Sequence, residues 1–446
     1  MDSMEEQQVV KTDSWAELNP DLLNEIAKLL YCYDDYARFL AVCKQWNTVH
    51  VTNHHPPWLV LPSYDKTFET RVLEEKKIYY LKLPDLKNTK LRGSSFGWLI
   101  SVGIDGTLRM LNPFTKKHID LPPMSTLPDV VDYNPNWVKK VNDNIHNNEE
   151  EDNIHNNEEE ESNEEEESNE DDDDDGEYTI MDFLSKKTYT CDSDHMQKIH
   201  VQKIILSSSP DDYNQEFMAI ALYGEFNRLA FCRRGDNKWM DIPKSSKSEV
   251  ATIAKHKCDY AYEDAIFHKG KIYVIDGFAQ IFEFEIKPTC TTPEQVIIEV
   301  PKPHDLYFRA INWKVAYLIG CSDGALLMVI RHLNFHKVPD VEDRCYNSTR
   351  FDLYKLEKGA KEWSKVFNMK NYTVLIGFNS SILMSANTFP FGWENSIHYT
   401  DNVVENHYFE VVGGHDIGLS NLEDGKTTQL FPNLTLLSSP PIWLVM

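Results

Sequence analysis

No two cysteines stand at a C-x-x-C spacing. The eight thiols are scattered at Cys32, Cys43, Cys191, Cys232, Cys258, Cys290, Cys321 and Cys345. That scatter predicts neither a disulfide framework nor a zinc knuckle, and fits a reducing cytoplasmic or nuclear compartment. Long apolar runs are lacking too. None nears the roughly 18 residues that span a bilayer, and the opening MDSMEEQQVVKTDSW is too polar for a signal peptide. No membrane is expected. Basic residues are scarce, with 45 Lys and Arg against 71 Asp and Glu and a formal net charge of -26. No basic stripe is evident, so no nucleic acid is expected as a partner.

Catalytic motifs are also lacking. The chain contains no G-x-G-x-x-G, Walker A, H-E-x-x-H or G-x-S-x-G. His54-His55 fall in a linker beside prolines, and His195 and His200 have poor spacing for a helical ligand pair. His268 precedes a turn and reads as a turn residue. Glu263-Asp264 and Asp340/Glu342 read as charged loops. Trp98, Trp239, Trp313 and Trp363 read as packing residues, with Trp393 in FPFGWEN the most exposed. The expectation is no catalytic residue, no metal and no cofactor.

The charge that is present is concentrated. From Glu149 to Glu177 there are 19 acidic residues and no Lys or Arg, which leaves -26 + 19 = -7 for the rest. DNIHNNEEE occurs twice in succession, at Asp143 to Glu151 and Asp152 to Glu160. A run of like charge this dense buries nothing and repels itself, so 142–177 is expected to be a disordered insertion within one domain. Residues 1–13 are expected to be disordered as well.

Residues 14–52 predict two helices. Asn19-Pro20-Asp21 is a helix start, and Leu18, Leu22, Leu23, Ile26, Leu29 and Leu30 follow at helical spacing. Asp34 or Asp35 is placed to cap a second helix with the stripe Phe39, Val42, Cys43, Trp46 and Val49. Two short helices share too little surface to bury all of this, so some of it must meet a partner.

The run W-x-x-L-x-x-D-L-L-x-x-I, then D-x-x-R-F-x-A-V-C-K-x-W, resembles an F-box. The matching residues are Trp15, Leu18, Asp21, Leu22, Leu23, Ile26, Asp35, Phe39, Val42, Cys43 and Trp46. The resemblance implies docking on Skp1, and through it on the cullin and E2 of a ubiquitin ligase. The contact set it implies is Leu18, Pro20, Leu22, Leu23, Ile26, Leu30, Val42 and Trp46. The family's Leu-Pro pair is out of register here, as Leu18-Asn19-Pro20.

From 57 to 446 the pattern is mainly β: short β-rich runs broken by Gly, Asp and Asn. Six loosely similar strand–turn–strand units begin at Lys77, Thr107, Arg228, Gln280, Arg350 and Asp416. Most are preceded by an apolar run read as an inner strand, beginning at Gly97, Phe217, Gly270, Ala316 and Ser396. A β-propeller of about six blades is expected, with a β-sandwich as the alternative. PPIWLVM at the C-terminus is a candidate to pair with PPWLVLP from Pro56 and close the ring.

Several motifs in order resemble plant F-box proteins with a kelch-like propeller of the type called domain of unknown function 295. They are Gly93 to Leu99, Leu111 to Thr115, Leu121 to Pro123, His268 to Tyr273 and Phe351 to Trp363. The resemblance implies an adaptor whose propeller holds an unidentified protein substrate. The competing reading is a propeller that binds or hydrolyses carbohydrate and has an incidental helical cap.

Overall fold

The computed structural model describes residues 15–30, 33–49, 57–62, 68–72, 78–81, 83, 86, 88–134, 177–183, 185–212, 216–225, 227–243, 261–277, 279–286, 294–298, 313–337, 344–386, 393–401, 416–431 and 439–445. Of the expected disordered stretches, 1–13 and 142–176 lie outside these residues, as do His54-His55, Asp340 and Glu342; Glu177, the last residue of the expected insertion, is instead described and buried, its carboxylate accepting from the Ser193 hydroxyl.

The described strands form six blades and one additional sheet. Blade 1 contains β1 (Trp58–Pro62), β2 (Phe68–Val72), β3 (Ile78–Leu81) and the C-terminal β28 (Ile442–Leu444). β28 lies antiparallel to β1, with Trp58 opposite Leu444 and Val60 opposite Ile442, so the two ends of the ring are joined in one sheet. Blade 2 is β4 (Thr89–Ser95), β5 (Trp98–Gly103), β6 (Leu108–Leu111) and β7 (His118–Leu121). The additional sheet is β8 (Val130–Tyr133), β9 (Tyr178–Met181) and β10 (Thr188–Cys191). Blade 3 is β11 (Val201–Leu206), β12 (Met218–Tyr223), β13 (Arg228–Arg233) and β14 (Met240–Ile242). Blade 4 is β15 (Tyr262–His268), β16 (Lys271–Asp276), β17 (Ile281–Glu285) and β18 (Glu294–Ile298). Blade 5 is β19 (Trp313–Gly320), β20 (Leu326–Lys337), β21 (Arg344–Leu356) and β22 (Ser364–Val366). Blade 6 orders β24 (Ile382–Ser385), β23 (Tyr372–Ile376), β25 (Ser396–Tyr399), β26 (Gly418–Asn421) and β27 (Thr427–Gln429), with β23 and β25 parallel.

The core follows from strand periodicity. Side chains alternate between faces, and each blade face is buried against a neighbour. On β12, Ala219, Ala221 and Tyr223 pack toward blade 2, whereas Ile220 and Leu222 pack toward blade 4. One apolar cluster lies between each pair of successive blades. The cluster of Leu59, Leu61 and Trp443 with Leu375, Met384 and Ile417 joins blade 6 back to blade 1. β4 and β11 approach closely: a Cβ on Gly93 would lie 2.2 Å from the Ile204 carbonyl oxygen, so the site excludes any larger residue.

Five of the six repeat units are the outer hairpins of blades. The unit from Lys77 instead straddles the outer strand of blade 1 and the inner strand of blade 2. Most runs read as inner strands are in fact second strands: β5, β12 and β16. The true inner strands β4, β11 and β15 carry buried Arg92, Lys203 and Asp264. Those charges break the apolar pattern because each finds a partner far away in sequence: Arg92 Nη2 donates to Gln197 O at 3.0 Å. Lys203 Nζ lies 2.7 Å from Asp264 Oδ1, while Asp264 Oδ2 accepts from the Leu318 N–H (3.0 Å) and the Ser381 hydroxyl (3.2 Å). Asp264 is therefore an inner-strand residue, not part of a charged loop. The turn 377–381 of blade 6 reaches across this region. Ser380 N donates to Ser94 O at 2.9 Å, and Phe378 joins the apolar cluster between blades 1 and 2.

The additional sheet stands by the turns that end the second strands. The Tyr178 hydroxyl lies 2.3 Å from where a Gly106 Cβ would be, and Asp129 is similarly placed at Gly224. Trp58 is at the opposite end of the blades, beside the Phe96-Gly97 turn, where Gly97 N donates to Val445 O at 2.7 Å. The chain from the helices thus enters the ring on one face, and the additional sheet sits on the other.

Candidate functional site: an outward helical stripe

The first helix, α1 (Pro20–Lys28), starts where its cap chemistry predicts. Asn19 Oδ1 accepts from Asp21 N at 2.8 Å, Pro20 occupies the first helical position, and Asp21 lies near the positive end of the dipole. The second, α2 (Tyr33–Leu40), begins before both aspartates proposed as its cap. Asp34 and Asp35 lie inside its first turn, where a negative charge still favours the helix.

The helices enclose a core of their own. Leu23, Ala27, Tyr36, Phe39 and Val49 are buried, with Leu18, Ile26, Leu30, Leu40 and Trp46 packed around them. Polar bonds fasten the ends. Tyr36 Oη donates to Val49 O (2.9 Å), Gln45 Nε2 to Leu18 O (3.0 Å) and Trp46 Nε1 to Trp15 O (3.1 Å). The Phe39 and Trp46 rings sit 4.6 Å apart. The exposed pairs Lys28–Glu25 and Arg38–Asp35 add little.

A second apolar stripe faces out. Trp15 (74% exposed), Leu22 (55%), Leu29 (68%) and Val42 (56%) show most of their side chains to solvent. Leu22, Ile26 and Leu29 are spaced by four and three, so they share one face of the helix. Leu23 and Ala27 take the inward face. Of the contact set implied by the resemblance, Pro20, Leu22 and Val42 are exposed, and Leu18, Ile26, Leu30 and Trp46 are half-buried. Leu23 is fully buried and offers no surface. Leu29 and Trp15 lie outside that set yet are the most exposed. The sequence signal for them was a stripe wider than one core requires.

In the propeller, Trp98, Trp239 and His200 are buried, while His195, His268 and Trp363 are half-buried. Trp393 is half-buried and stacks on His398 at 4.1 Å, against the expectation of exposure. His398 is fully buried, and burial pushes its imidazole down to about 3. His200 Nε2 lies 3.3 Å from Asp129 Oδ1, with both residues buried. His268 ends β15, facing Lys271 across the turn. Among the described residues, no group of three His, Cys, Asp or Glu could hold a metal.

Between blades 5 and 6, Arg331 is fully buried. It donates to Ser348 Oγ (2.7 Å), Thr400 O (2.8 Å) and Asp416 Oδ2 (2.6 Å). Burial alone would lower its guanidinium. The Asp416 carboxylate and the Tyr317 and Tyr346 hydroxyls hold it above its ordinary value instead.

These features define a class: a β-propeller preceded by a small helical module with an uncovered apolar stripe. More particularly, residues 68–421 match the family model described as KIB1-4 beta-propeller, and the chain belongs to that family. Its relatives in Arabidopsis thaliana include the putative F-box protein At5g55150, 20% identical over 398 residues, covering 87% of this chain and 86% of that protein. Another is the F-box protein At2g26160, 22% identical over 393 residues, covering 87% and 96%. Among solved structures, the β-propeller domain of Cps50 (Swd1) from Myceliophteria thermophila aligns over 90% of this chain and 99% of that one. Identity there is 9% and the TM-score 0.31, too low to carry weight.

Proposed function

We propose that the chain is a non-catalytic, substrate-recognition adaptor of a Skp1-cullin-F-box ubiquitin ligase. Residues 14–52 act as the F-box, and the propeller holds a protein target in the cytoplasm or nucleus. The observation that carries this reading is the outward stripe. A module that already has a closed core still exposes Trp15, Leu22, Leu29 and Val42. Such a stripe fits a helix-docking partner. The names of the relatives support the assignment, and the finer kelch-like, domain-295 affiliation is part of the same reading. An adaptor of this kind works by effective concentration, holding a target lysine near a charged E2.

Pull-down of a Skp1 protein tests this. Wild type is expected to bind, while Leu22→Asp and Ile26→Asp, which put a charge on a face that must lose water, abolish binding. Retention of Skp1 by both variants would overturn the assignment.

A further inference from the structure

The additional sheet is not needed to close the ring, since β4 and β11 of blades 2 and 3 pack directly on one another. Its inward side is accounted for: Val130, Ile180 and Tyr189 pack on those two blades. Its outward side carries two exposed apolar side chains, Val131 (54%) and Met181 (40%), among Thr179, Thr188, Thr190 and Asp132. None of the twelve residues of β8, β9 and β10 is Lys or Arg. Beside Met181, a crevice opens between the sheet and blade 3, lined by Asp129, Asp182, Phe183, Glu225 and Arg228. Arg228 is tied to Asp241 at 2.7 Å, and Lys186 Nζ stands over the Phe183 ring at 4.5 Å. Asp132 adds a further exposed carboxylate on β8. Around the crevice Asp129, Asp132, Asp182, Glu225 and Asp241 stand against Arg228, Lys186 and Lys187, with Asp129 buried beside His200, so the formal balance is acidic. The sequence between β8 and β9 adds the 19 acidic residues of Glu149 to Glu177 without one Lys or Arg.

We infer that the outer side of this sheet, with its crevice, docks a Lys/Arg-rich segment of the target protein that inserts an apolar side chain between Val131 and Met181. This rests on the adaptor reading above. Charge complementarity selects the occupant, since an apolar surface among carboxylates discriminates against acidic segments and rewards basic ones. A lysine-rich target also brings the amines that a ubiquitin ligase modifies. The site lies on the ring face opposite Trp58, where the first described strand of the ring begins.

The test is fluorescence anisotropy of the full chain with a labelled peptide alternating Lys and Leu, in low and high salt. Binding to wild type is expected, weakening as salt rises. Val131→Lys/Met181→Lys is expected to weaken it by about tenfold or more. Asp182→Asn/Glu225→Gln is expected to reduce its salt dependence. Skp1 pull-down by all of these variants should equal wild type. Equal peptide binding by Val131→Lys/Met181→Lys, or no binding to wild type, overturns the docking surface. The chain's own WVKKV at Trp137 to Val141 has the chemistry of the probe. Peptide binding that emerges only in Trp137→Asp/Val138→Asp would assign the surface to that segment and overturn the target reading. Loss of Skp1 by wild type would instead strike the adaptor reading and leave the peptide result standing.

Discussion

The helical module and the propeller distribute their apolar residues differently. In the module, α1 is apolar on two sides: Leu23 and Ala27 close a small core while Leu22 and Leu29 stay in water. In the propeller, strands are apolar on both faces because each blade has two neighbours, and the polar groups are what need explaining. Arg92, Lys203, Asp264 and Arg331 are all buried, on inner strands or between blades. The module leaves an apolar surface for another molecule. The propeller instead pairs charges inside itself, Lys203 with Asp264 and Arg331 with Asp416.

The largest expected effect breaks the propeller's side of this contrast. Arg331→Ala would strand the Asp416 carboxylate, which also accepts from Ser348 Oγ at 2.8 Å. Removing one member of a buried pair costs about 3–5 kcal/mol. Chemical denaturation should show that loss, and Arg331→Met/Asp416→Leu should recover much of it. Skp1 binding at low temperature should be unchanged. A loss below about 1 kcal/mol for the single variant would show that the pair is hydrated and not part of the core.

Next come two adjacent leucines. Leu23→Ala opens the module's core and should cost about 2–5 kcal/mol of its stability. Leu22→Ala should stay within about 0.5 kcal/mol while weakening Skp1 capture. Amide hydrogen exchange over 15–49 reads the first, and pull-down reads the second. If the two variants behave alike, the division of α1 into inward and outward faces is wrong.

Legibility from sequence follows the same divide. The cap Asn19-Pro20, the helical stripes and the pairing of PPWLVLP with PPIWLVM could be read directly, because each depends on local chemistry or a short pattern. The outer hairpins were legible as repeats for the same reason. The inner strands were not, because Lys203 and Asp264 are 61 residues apart in sequence and neutralise each other only when blades 3 and 4 meet. Which leucine of Leu22-Leu23 faces inward was equally hidden, since helical spacing admits both. The additional sheet went unseen because its strands are separated by the acidic run and repeat nothing.

The smallest effect concerns His398 of blade 6, held between Trp393 and blade 1's Trp443 and bonded through Nε2 to Ser396 Oγ at 3.2 Å. Burial lowers its folded-state pKa from 6.5 to about 3. Below the ordinary value, the unfolded chain takes up a proton that the folded ring refuses. Stability therefore falls as pH drops from about 6.5, by at most about 1.4 kcal/mol per pH unit for one group. His398→Gln removes that term, so its stability should change less than wild type's between pH 6.5 and 5, before most carboxylates titrate. Among the described residues the helical module has no histidine, so its hydrogen exchange should show no matching step in this window. Parallel pH slopes for wild type and His398→Gln would mean that the imidazole is protonated in place, and that blade 6 admits water where the structure packs two tryptophans.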